Sequence, residues 1–339
     1  MNLVQPTFEI LQQESGLKGI YKAIEYPGRI CYGSTDKITE DSAEAFVHRL
    51  EAANHGAPME HGAVYLHVAR PVDYDEWLSP SPVSNAYDNL LEFYSNNEYS
   101  KVNEVIAAPY EESTGDKKYD LYDHLYVSTN YRVLFENKRL DDLKYLCDPT
   151  IHHQLRITVK FTCNIGVSRE YNRHRKDSIN EESTRYCNYS KDKYGNEISV
   201  IANNNKFGDR LDDLTWANNN FSLLEYCESL VSQAKDLTND DDLYEHCNFT
   251  DIDYWLFANK AAEFSYVGLT GKCGWKAQDA RDILPIDTKS ILVHTAFIDD
   301  WKHFFDLRAK GTTGTPHPQA KELAEPLMQE FIKKGYICG

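Results

Sequence analysis

The sequence predicts an α+β fold, in which strands and helices are mixed without regular βαβ alternation. Residues 62–71 (GAVYLHVARP) and 156–163 alternate apolar and polar side chains, which is typical of half-buried strands. Residues 38–54 instead repeat apolar side chains at helical spacing, and Gly56 follows as a stop signal. These three patterns together favour a sheet with flanking helices.

The remaining elements are predicted in the same way. Asn164 is expected to cap a helix that begins directly after the second strand. A short strand is predicted at 197–201, after the turn that Gly195 and Asn196 indicate. Further helical patterns cover 221–236, 252–270, 290–308 and 318–334.

Composition limits the class of protein. The chain has 339 residues, a formal net charge of −17 and 41% hydrophobic residues, which indicates a globular protein. This charge disfavours broad binding to nucleic acid or to an anionic membrane, and no apolar run is long enough for a membrane span. The N-terminus lacks the layout of a signal peptide, and the eight cysteines show no CxxC spacing. We therefore expect a cytoplasmic protein with reduced thiols and no metal.

Residues 73–154 differ in composition from the rest of the chain. They contain 16 acidic and 7 basic residues, a net charge of −9, and ten of the 23 tyrosines. We interpret this segment as a large insertion between two core strands, packed on the core of a single catalytic domain that spans 1–339. A solvated, partly helical excursion is the alternative.

The segment 173–186, RHRKDSINEESTRY, has the residue types of an anion-binding site. Arg173 and Arg175 flank His174, Ser183 lies eight residues after Arg175, and Arg185 follows. A guanidinium group binds phosphate or a pyrimidine carbonyl in bidentate fashion, and a serine hydroxyl completes such a pocket. A solvated surface segment crossed by salt bridges would have the same composition, so charge alone leaves both interpretations open.

The spacing of this segment resembles the R-H-R-x7-S signature of the flavin-dependent thymidylate synthases, the ThyX family. The wider form of the signature, RHRxxSxNExSxRY, is matched at Ser178, Asn180, Glu181, Ser183, Arg185 and Tyr186. Other stretches are similar to family motifs and follow the family's order: PGRICYGS (27–34), HGAPMEH (55–61), ARDILP (280–285), HFFDLR (303–308) and HPQAKEL (317–323). The resemblance covers 15–72, 155–202 and 250–335, and leaves out the insertion.

This resemblance implies a ThyX-like mixed sheet and a homotetramer whose active sites combine residues of several subunits. It also implies that PGRICYGS is a strand and loop near the flavin. The implied reaction is the reductive methylation of dUMP to dTMP by 5,10-methylenetetrahydrofolate and NADPH, through FAD. In such a reaction the cofactors make and break the bonds, and the protein supplies orientation and electrostatics.

The resemblance further implies roles for individual residues. Arg308 would face the pyrimidine and stabilise negative charge as C5 becomes nucleophilic, with Arg173 as a second catalytic residue. The dUMP site would consist of Ser183, Arg185, Arg281, Glu181 and Arg308, the first three on the phosphate. FAD and folate would be held by His55, Glu60, Arg173, His174, Arg175 and His303.

The sequence departs from the family at two places. Glu170 stands where members often have Gln, and a carboxylate beside a phosphate is unfavourable unless it is paired. The family's Asn-x-Arg that holds FAD is absent, since Phe297 and Asp299 occupy its positions. Asn130 and Arg132 of the insertion have the same spacing, and we expect them to supply this contact. An ordinary helix start at Asn130 is the alternative.

Two other functions remain open. One is a related flavin enzyme that modifies C5 of another pyrimidine nucleotide, and the other is a non-catalytic nucleotide-binding protein on the same core. Other classes are disfavoured: no GxGxxG follows a strand, and Ser183 has no G-x-S-x-G context. His61 and His67 are expected to diverge, which disfavours a metal site.

Overall fold

The computed structural model describes residues 1–72, 82–109, 121–191, 194–235 and 246–338. Helices and strands are mixed, and the predicted α+β class is confirmed. The strands are β1 (Asn2–Val4), β2 (Thr7–Leu11), β3 (Ala63–Pro71), β4 (Lys101–Pro109), β5 (Leu121–Asn130), β6 (Arg156–Asn164), β7 (Ser178–Glu181), β8 (Ser199–Ile201) and β9 (Lys289–Phe297).

The helices surround these strands. They are α1 (Gly16–Cys31), α2 (Ser42–Ala52), α3 (Pro82–Ser95), α4 (Tyr131–Glu136), α5 (Ile165–Tyr171), α6 (Asn204–Phe207), α7 (Leu211–Asn220), α8 (Leu223–Ala234), α9 (Asp251–Val267), α10 (Ala277–Ala280), α11 (Ile298–Phe305) and α12 (Pro318–Lys333). Short 3-10 turns lie at Thr35–Lys37, Ala57–His61, Leu140–Tyr145, Gly208–Arg210 and Arg281–Ile283, and π-helical turns at Gly268–Lys272 and Asp306–Lys310. None of the helices in the described ranges is long and apolar enough to cross a membrane.

The central sheet has the strand order β2-β6-β9-β7, and each neighbouring pair is antiparallel. β6 and β9 pair over their whole length, from Arg156↔Phe297 to Asn164↔Lys289. One face packs on α11 and α12 through a core that includes Val159, Phe161, Trp301, Phe304 and Phe331. β7 is the edge strand next to β9, so the motif segment 173–186 runs along the margin of this sheet.

A second sheet, β3-β5-β4, is built jointly by the strand before the predicted insertion and by the insertion itself. β3 pairs with β5 from Ala63↔Asn130 to Pro71↔Tyr122. The buried side chains of this sheet share one core with α1, α2 and α3, which includes Ile24, Phe46, Leu66, Tyr94 and Leu125. The described part of the insertion is therefore core structure and not a solvated excursion, while 73–81 and 110–120 lie outside the described residues.

Several predicted elements are confirmed within a few residues: α2, β3, β6, β8, α8, α9 and α12. The predicted cap is confirmed as well, because the Asn164 side-chain oxygen accepts a hydrogen bond from the Val167 N–H at 2.8 Å. This cap fixes the point where β6 ends and α5 begins.

The helix predicted over 290–308 is wrong in its first half. Residues Lys289–Phe297 form β9, which is paired on both sides, by β6 and by β7. A strand buried on both faces has no apolar–polar alternation, so periodicity does not distinguish it from a buried helix. The helix α11 begins only at Ile298.

The strand and loop expected for PGRICYGS (27–34) is also wrong. Its first five residues are the C-terminal end of α1, a 16-residue helix with Pro27 inside. α1 has no clear sequence signal near its C-terminal end, because Pro27 and Gly28 are typical of helix ends. The helix is stabilised by tertiary packing, since Ile20 and Ile24 are fully buried against the second sheet.

Candidate active site

The two halves of the motif segment lie at opposite ends of β7. Arg173, His174 and Arg175 follow α5 in a turn that precedes the strand, and Ser183 comes two residues after its end. The strand itself is held in the sheet by pairing with β9 from Ser178↔Thr295 to Glu181↔Leu292. The structure therefore divides the predicted site residues into groups, which are described in turn.

Arg308 is the centre of the first group. It lies in the π-helical turn after α11, and its Nη1 donates to the Glu170 side chain at 2.7 Å. Its Nη2 donates to the Glu170 carbonyl oxygen at 2.6 Å, and its Nε donates to Nε2 of His174 at 3.2 Å. We call Arg308, Glu170, His174 and His303 the arginine cluster. The Glu170 carboxylate is therefore paired with Arg308. An unpaired carboxylate beside a phosphate would be unfavourable, and this pairing meets that requirement.

His174 is neutral in this cluster. Because Arg308 donates to its Nε2, the proton of the neutral ring lies on Nδ1. Burial, together with the nearby His294 and Arg308, lowers the pKa of His174 to about 4. The ring also contacts His303 and Phe304 at centroid distances of 5.9 and 5.0 Å. These contacts fix an acceptor beside Arg308.

Arg173 and Arg175 are exposed, and neither forms a hydrogen bond or ion pair with any described residue. Both line a cavity of about 540 Å³ that also contains His174, His303 and Arg308. Two arginines at the opening of a cavity are suited to bind a dianionic phosphate or pyrophosphate. This arrangement fits a group such as FAD, which contains a pyrophosphate.

The same cavity has an acidic wall. Asp177 accepts a hydrogen bond at 2.6 Å from Nε2 of the buried His294. Burial, and then the nearby Asp177, raises the pKa of the Asp300 carboxyl. Sequence reasoning missed these three residues. Asp177 lies within the motif segment, but nothing in the sequence indicates that it faces His294, 117 positions away.

Ser183 and Arg185 form the second group, in a turn and not in a strand. β7 ends at Glu181, and the Cys187 N–H donates to the Ser183 carbonyl at 2.9 Å. The Ser183 hydroxyl oxygen accepts from the Arg185 N–H at 3.3 Å. Arg185 points instead to Gln278, to which its Nε donates at 3.2 Å.

Arg281 lies one turn beyond Gln278, in the 3-10 turn after α10. Its side chain is exposed and forms no hydrogen bond or ion pair with the described residues. Residues three apart in a helical segment lie on the same side, so we expect Arg281 on the side of this segment where Gln278 contacts Arg185. The contact shown by the structure is the one between Arg185 and Gln278.

His55 contacts this region through Tyr32. The Tyr32 hydroxyl and Nδ1 of His55 are 3.0 Å apart, and the Tyr32 and Tyr186 rings lie 5.4 Å apart. The Ser183 N–H also donates to the Cys31 carbonyl at 3.3 Å. The C-terminal end of α1 therefore connects the predicted flavin residue His55 with the predicted phosphate turn.

Both carboxylate oxygens of Glu181, which the resemblance places in the dUMP site, already have hydrogen-bond partners within the chain. Its Oε1 accepts from the Ser168 and Ser290 hydroxyls at 2.6 and 2.7 Å, and its Oε2 accepts from the Asn172 amide at 3.2 Å. These bonds connect α5 to β7 and β9. A ribose hydroxyl would have to share oxygens that already have partners.

Asn130, Arg132 and Glu60 form a third group on the second sheet. The Asn130 side chain is the N-cap of α4 and accepts from the Val133 N–H at 3.1 Å, so the ordinary helix start is correct for this residue. Arg132 pairs with Glu60 and with Glu136, the latter at 2.7 Å. Its side chain remains 38% exposed beside a cavity of about 160 Å³.

A comparison with protein families finds a match that includes two of the three groups of residues described above. The family described as thymidylate synthase complementing protein, that of the flavin-dependent thymidylate synthases, matches residues 148–334. This range is more than half of the chain. The chain belongs to the ThyX family. The match includes the arginine cluster, the Ser183 turn and Arg281, while His55, Glu60, Asn130 and Arg132 precede it.

Solved structures of weaker similarity are also found. A UMP/dUMP methylase, PolB from Streptomyces cacaoi, bound with 5-Br dUMP, has 15% sequence identity and a TM-score of 0.37, with 98% of this chain and 93% of that chain covered. The same enzyme bound with 5-Br UMP gives a TM-score of 0.38, with 98% and 91% covered. No curated protein sequence matches. At these TM-scores no property of the methylase is transferred to this ThyX protein.

Among the described residues of this ThyX protein, no group of three or more His, Cys, Asp or Glu side chains is arranged to hold a metal ion. The polar chemistry of the candidate active site is therefore that of its arginines, of the neutral His174 and of the carboxylates that line the same cavity or pair with Arg308. Such a site can bind phosphates and carbonyl oxygens and can stabilise negative charge.

Proposed function

We propose that this ThyX protein is a flavin-dependent thymidylate synthase. The reaction is dUMP plus 5,10-methylenetetrahydrofolate plus NADPH plus a proton, giving dTMP, tetrahydrofolate and NADP⁺. Family membership supports the reaction class, and the observation that supports the assignment most directly is the partly buried, hydrogen-bonded Arg308 beside two unpaired arginines.

Arg308 is proposed to act on the pyrimidine. As C5 becomes nucleophilic, negative charge develops on the ring carbonyls, and a fixed guanidinium would stabilise it without reorganising. The side chain is only 13% exposed, so this charge acts in a partly desolvated site where electrostatic interactions are stronger than in water. Arg173 is proposed as the second cation of this site.

When bound, FAD would supply the hydride-transfer chemistry that links NADPH to reduction of the methylene group to methyl. We propose that Arg173, Arg175 and His174 hold it at the 540 Å³ cavity, with His303 on the cavity wall. His55, Glu60 and Arg132 are proposed to complete the flavin and folate surface from the second sheet, with Asn130 fixing the start of the helix that carries Arg132.

Ser183, Arg185 and Arg281 are proposed to bind the dUMP phosphate. Arg281 has no partner among the described residues, and Arg185 has only the neutral Gln278, so neither charge is cancelled. The phosphate would add the counter-ion that this region lacks. Glu181 is proposed to contact the ribose only through the oxygens that hold Ser168 and Ser290.

A complete site is proposed to need more than one subunit. The arginine cluster and the Ser183 turn lie at opposite ends of β7, whose four residues span about 13 Å. A homotetramer would place the turn of one copy against the cluster of another. This proposal explains why exposed, unpaired arginines lie at both ends of the strand.

The test is product formation by the purified protein reconstituted with FAD. dUMP, 5,10-methylenetetrahydrofolate and NADPH are supplied, dTMP is measured by chromatography, and NADPH alone is used to follow bleaching of the flavin absorbance. We expect dTMP only when all three reactants are present. A folded protein that remains colourless after reconstitution with FAD would contradict the proposal.

A second candidate function is methylation of another pyrimidine nucleotide by the same chemistry. It is favoured by one departure, the Glu170 carboxylate bonded to Arg308, because this pair adds an acceptor next to the group that would face the base. Parallel assays with dUMP, UMP and dCMP distinguish the two functions by which methylated product forms.

A further inference from the structure

Glu170 contacts Arg308 in two ways at once. Its carboxylate accepts from Nη1 at 2.7 Å, and its main-chain carbonyl accepts from Nη2 at 2.6 Å. Both acceptors belong to the last turn of α5, a helix whose start is fixed by the Asn164 cap. The side chain of Glu170 is 31% exposed, whereas that of Arg308 is 13% exposed.

A third bond completes the set. Nε of Arg308 donates to Nε2 of His174, whose ring is itself held between His303 and Phe304. A guanidinium has five N–H groups in one plane. Three of them are therefore directed at fixed acceptors of the protein, and two remain for a ligand. The guanidinium does not rotate about its axis without losing all three bonds.

We propose that Glu170 is a positioning residue. It holds the guanidinium of Arg308 in the orientation that faces the nucleotide, and its carboxylate reduces the net positive charge of the site. This inference depends on the proposed function, because it takes Arg308 to be the group that faces the pyrimidine. Glu170 does not touch the reacting atoms in this proposal, since it acts through Arg308.

The two effects of Glu170 can be separated by chemistry. The hydrogen bond to Nη1 needs only an oxygen acceptor, which a glutamine side chain also provides. The reduction in net charge needs the carboxylate. Replacement by glutamine therefore keeps the positioning and removes the charge, whereas replacement by alanine removes both and leaves only the main-chain carbonyl.

The experiment compares Glu170→Gln and Glu170→Ala with wild type, each as FAD-loaded full-length protein. kcat and KM for dUMP are measured, and a dUMP binding titration and a thermal melt accompany them. Asp251→Ala is the matched control, because Asp251 pairs with Arg210 at 2.8 Å on the surface, outside the candidate site.

We expect Glu170→Ala to lower kcat about tenfold or more, since a hydrogen bond between charged groups is lost and the guanidinium is free to move. Glu170→Gln should keep kcat within about threefold of wild type and bind dUMP about threefold more tightly, because a negative charge is removed from a site that binds an anionic nucleotide. If Glu170 had only a structural role, both variants would melt at a lower temperature. The alanine variant would then not lose kcat selectively, and the glutamine variant would not bind dUMP more tightly.

Two results would overturn the inference: kcat of Glu170→Ala equal to wild type, or an equal fall of kcat in both variants. If Glu170→Ala does not fold, the glutamine variant alone decides, since a tenfold loss of kcat there excludes positioning by an acceptor oxygen. Absence of dTMP formation by wild type would instead refute the proposed function, and the inference with it.

Discussion

At the scale of single residues, the protonation of His174 follows from its surroundings. The ring is buried and accepts from Arg308, and its pKa of about 4 lies below the ordinary value of a histidine, near 6.5. The unfolded chain therefore binds a proton between these two pH values that the folded chain does not bind. The contribution of His174 to stability is complete above about pH 6.5 and is lost as the pH falls towards 4.

His174→Gln tests this statement. The free energy of unfolding of wild type should fall between pH 6.5 and 4, with His174 contributing up to about 1.4 kcal/mol per pH unit. The variant should show a shallower slope in denaturant titrations over the same range. His317→Gln, at an exposed position, is the control and should keep the wild-type slope. Equal slopes in wild type and His174→Gln would show that His174 titrates normally.

The Ser183 hydroxyl is the second residue whose role can be tested alone. It accepts from the Arg185 N–H, and no carboxylate or imidazole of the described residues hydrogen-bonds to it. A serine nucleophile needs such a base. Ser183→Ala should therefore raise the dUMP requirement about tenfold or more and leave turnover, because one hydrogen bond to a charged phosphate is lost.

Arg185→Ala should raise the dUMP requirement further, since it removes a full charge from the same region. Steady-state rates over a range of dUMP concentrations measure both effects. No turnover of a folded, FAD-loaded Ser183→Ala protein at saturating dUMP would refute phosphate binding and favour a nucleophile.

At the scale of secondary-structure elements, α4 separates two neighbouring roles. Asn130 caps the helix, whereas Arg132 lies on its exposed side and pairs with Glu60 and Glu136. Both were expected to bind FAD because of their Asn-x-Arg spacing. The cap accounts for the Asn130 side-chain oxygen, whereas Arg132 also donates outside its own helix, to Glu60.

Arg132→Ala should weaken FAD binding about tenfold or more, since a contact between charged groups is lost. Asn130→Ala should instead destabilise the protein by about 1 kcal/mol, the usual effect of losing an N-cap. Flavin retention on gel filtration measures the first effect and thermal melting the second. Unchanged retention in Arg132→Ala would mean that α4 has only a structural role.

Elements with a single exposed face were predictable from the sequence, and those buried on both faces were not. β3 and β6 show alternation because one face of each is more polar, whereas β9 is buried over almost its whole length, lacks such alternation and was taken for a helix. The candidate site shows the same limit. Spacing along the chain identified the motif residues, but the Glu170–Arg308 contact joins positions 138 residues apart, and no local pattern indicates it.

At the scale of the whole molecule, the separation of the two groups of site residues at opposite ends of β7 predicts that each active site combines two subunits. Co-expression of two variants, each lacking one group, tests this prediction. One variant carries Arg173→Ala and Arg175→Ala, which remove the two exposed arginines beside the arginine cluster. The other removes the phosphate turn, Ser183→Ala with Arg185→Ala. If each site combines two copies, co-expression of the two inactive variants should restore dTMP formation, because some sites then contain both intact halves.

The control for this experiment is each variant expressed alone at the same total concentration. Activity of the mixture above the sum of the two controls supports shared sites. A mixture that is as inactive as its components would show that one chain contains the complete site, and that the exposed arginines at the two ends of β7 act independently.

The joint construction of the second sheet has a consequence for the order of folding on the ribosome. Both β3 and β4 pair with β5, which ends at Asn130. The whole second sheet is therefore available for pairing once the chain up to residue 130 has left the ribosome. β6 by contrast waits for β9, whose last paired residue is Phe297. Closing this long loop costs more chain entropy. The acidic segment thus lets the N-terminal half form its own core first, while β6, already able to pair with β2, and the motif strand β7 still lack β9.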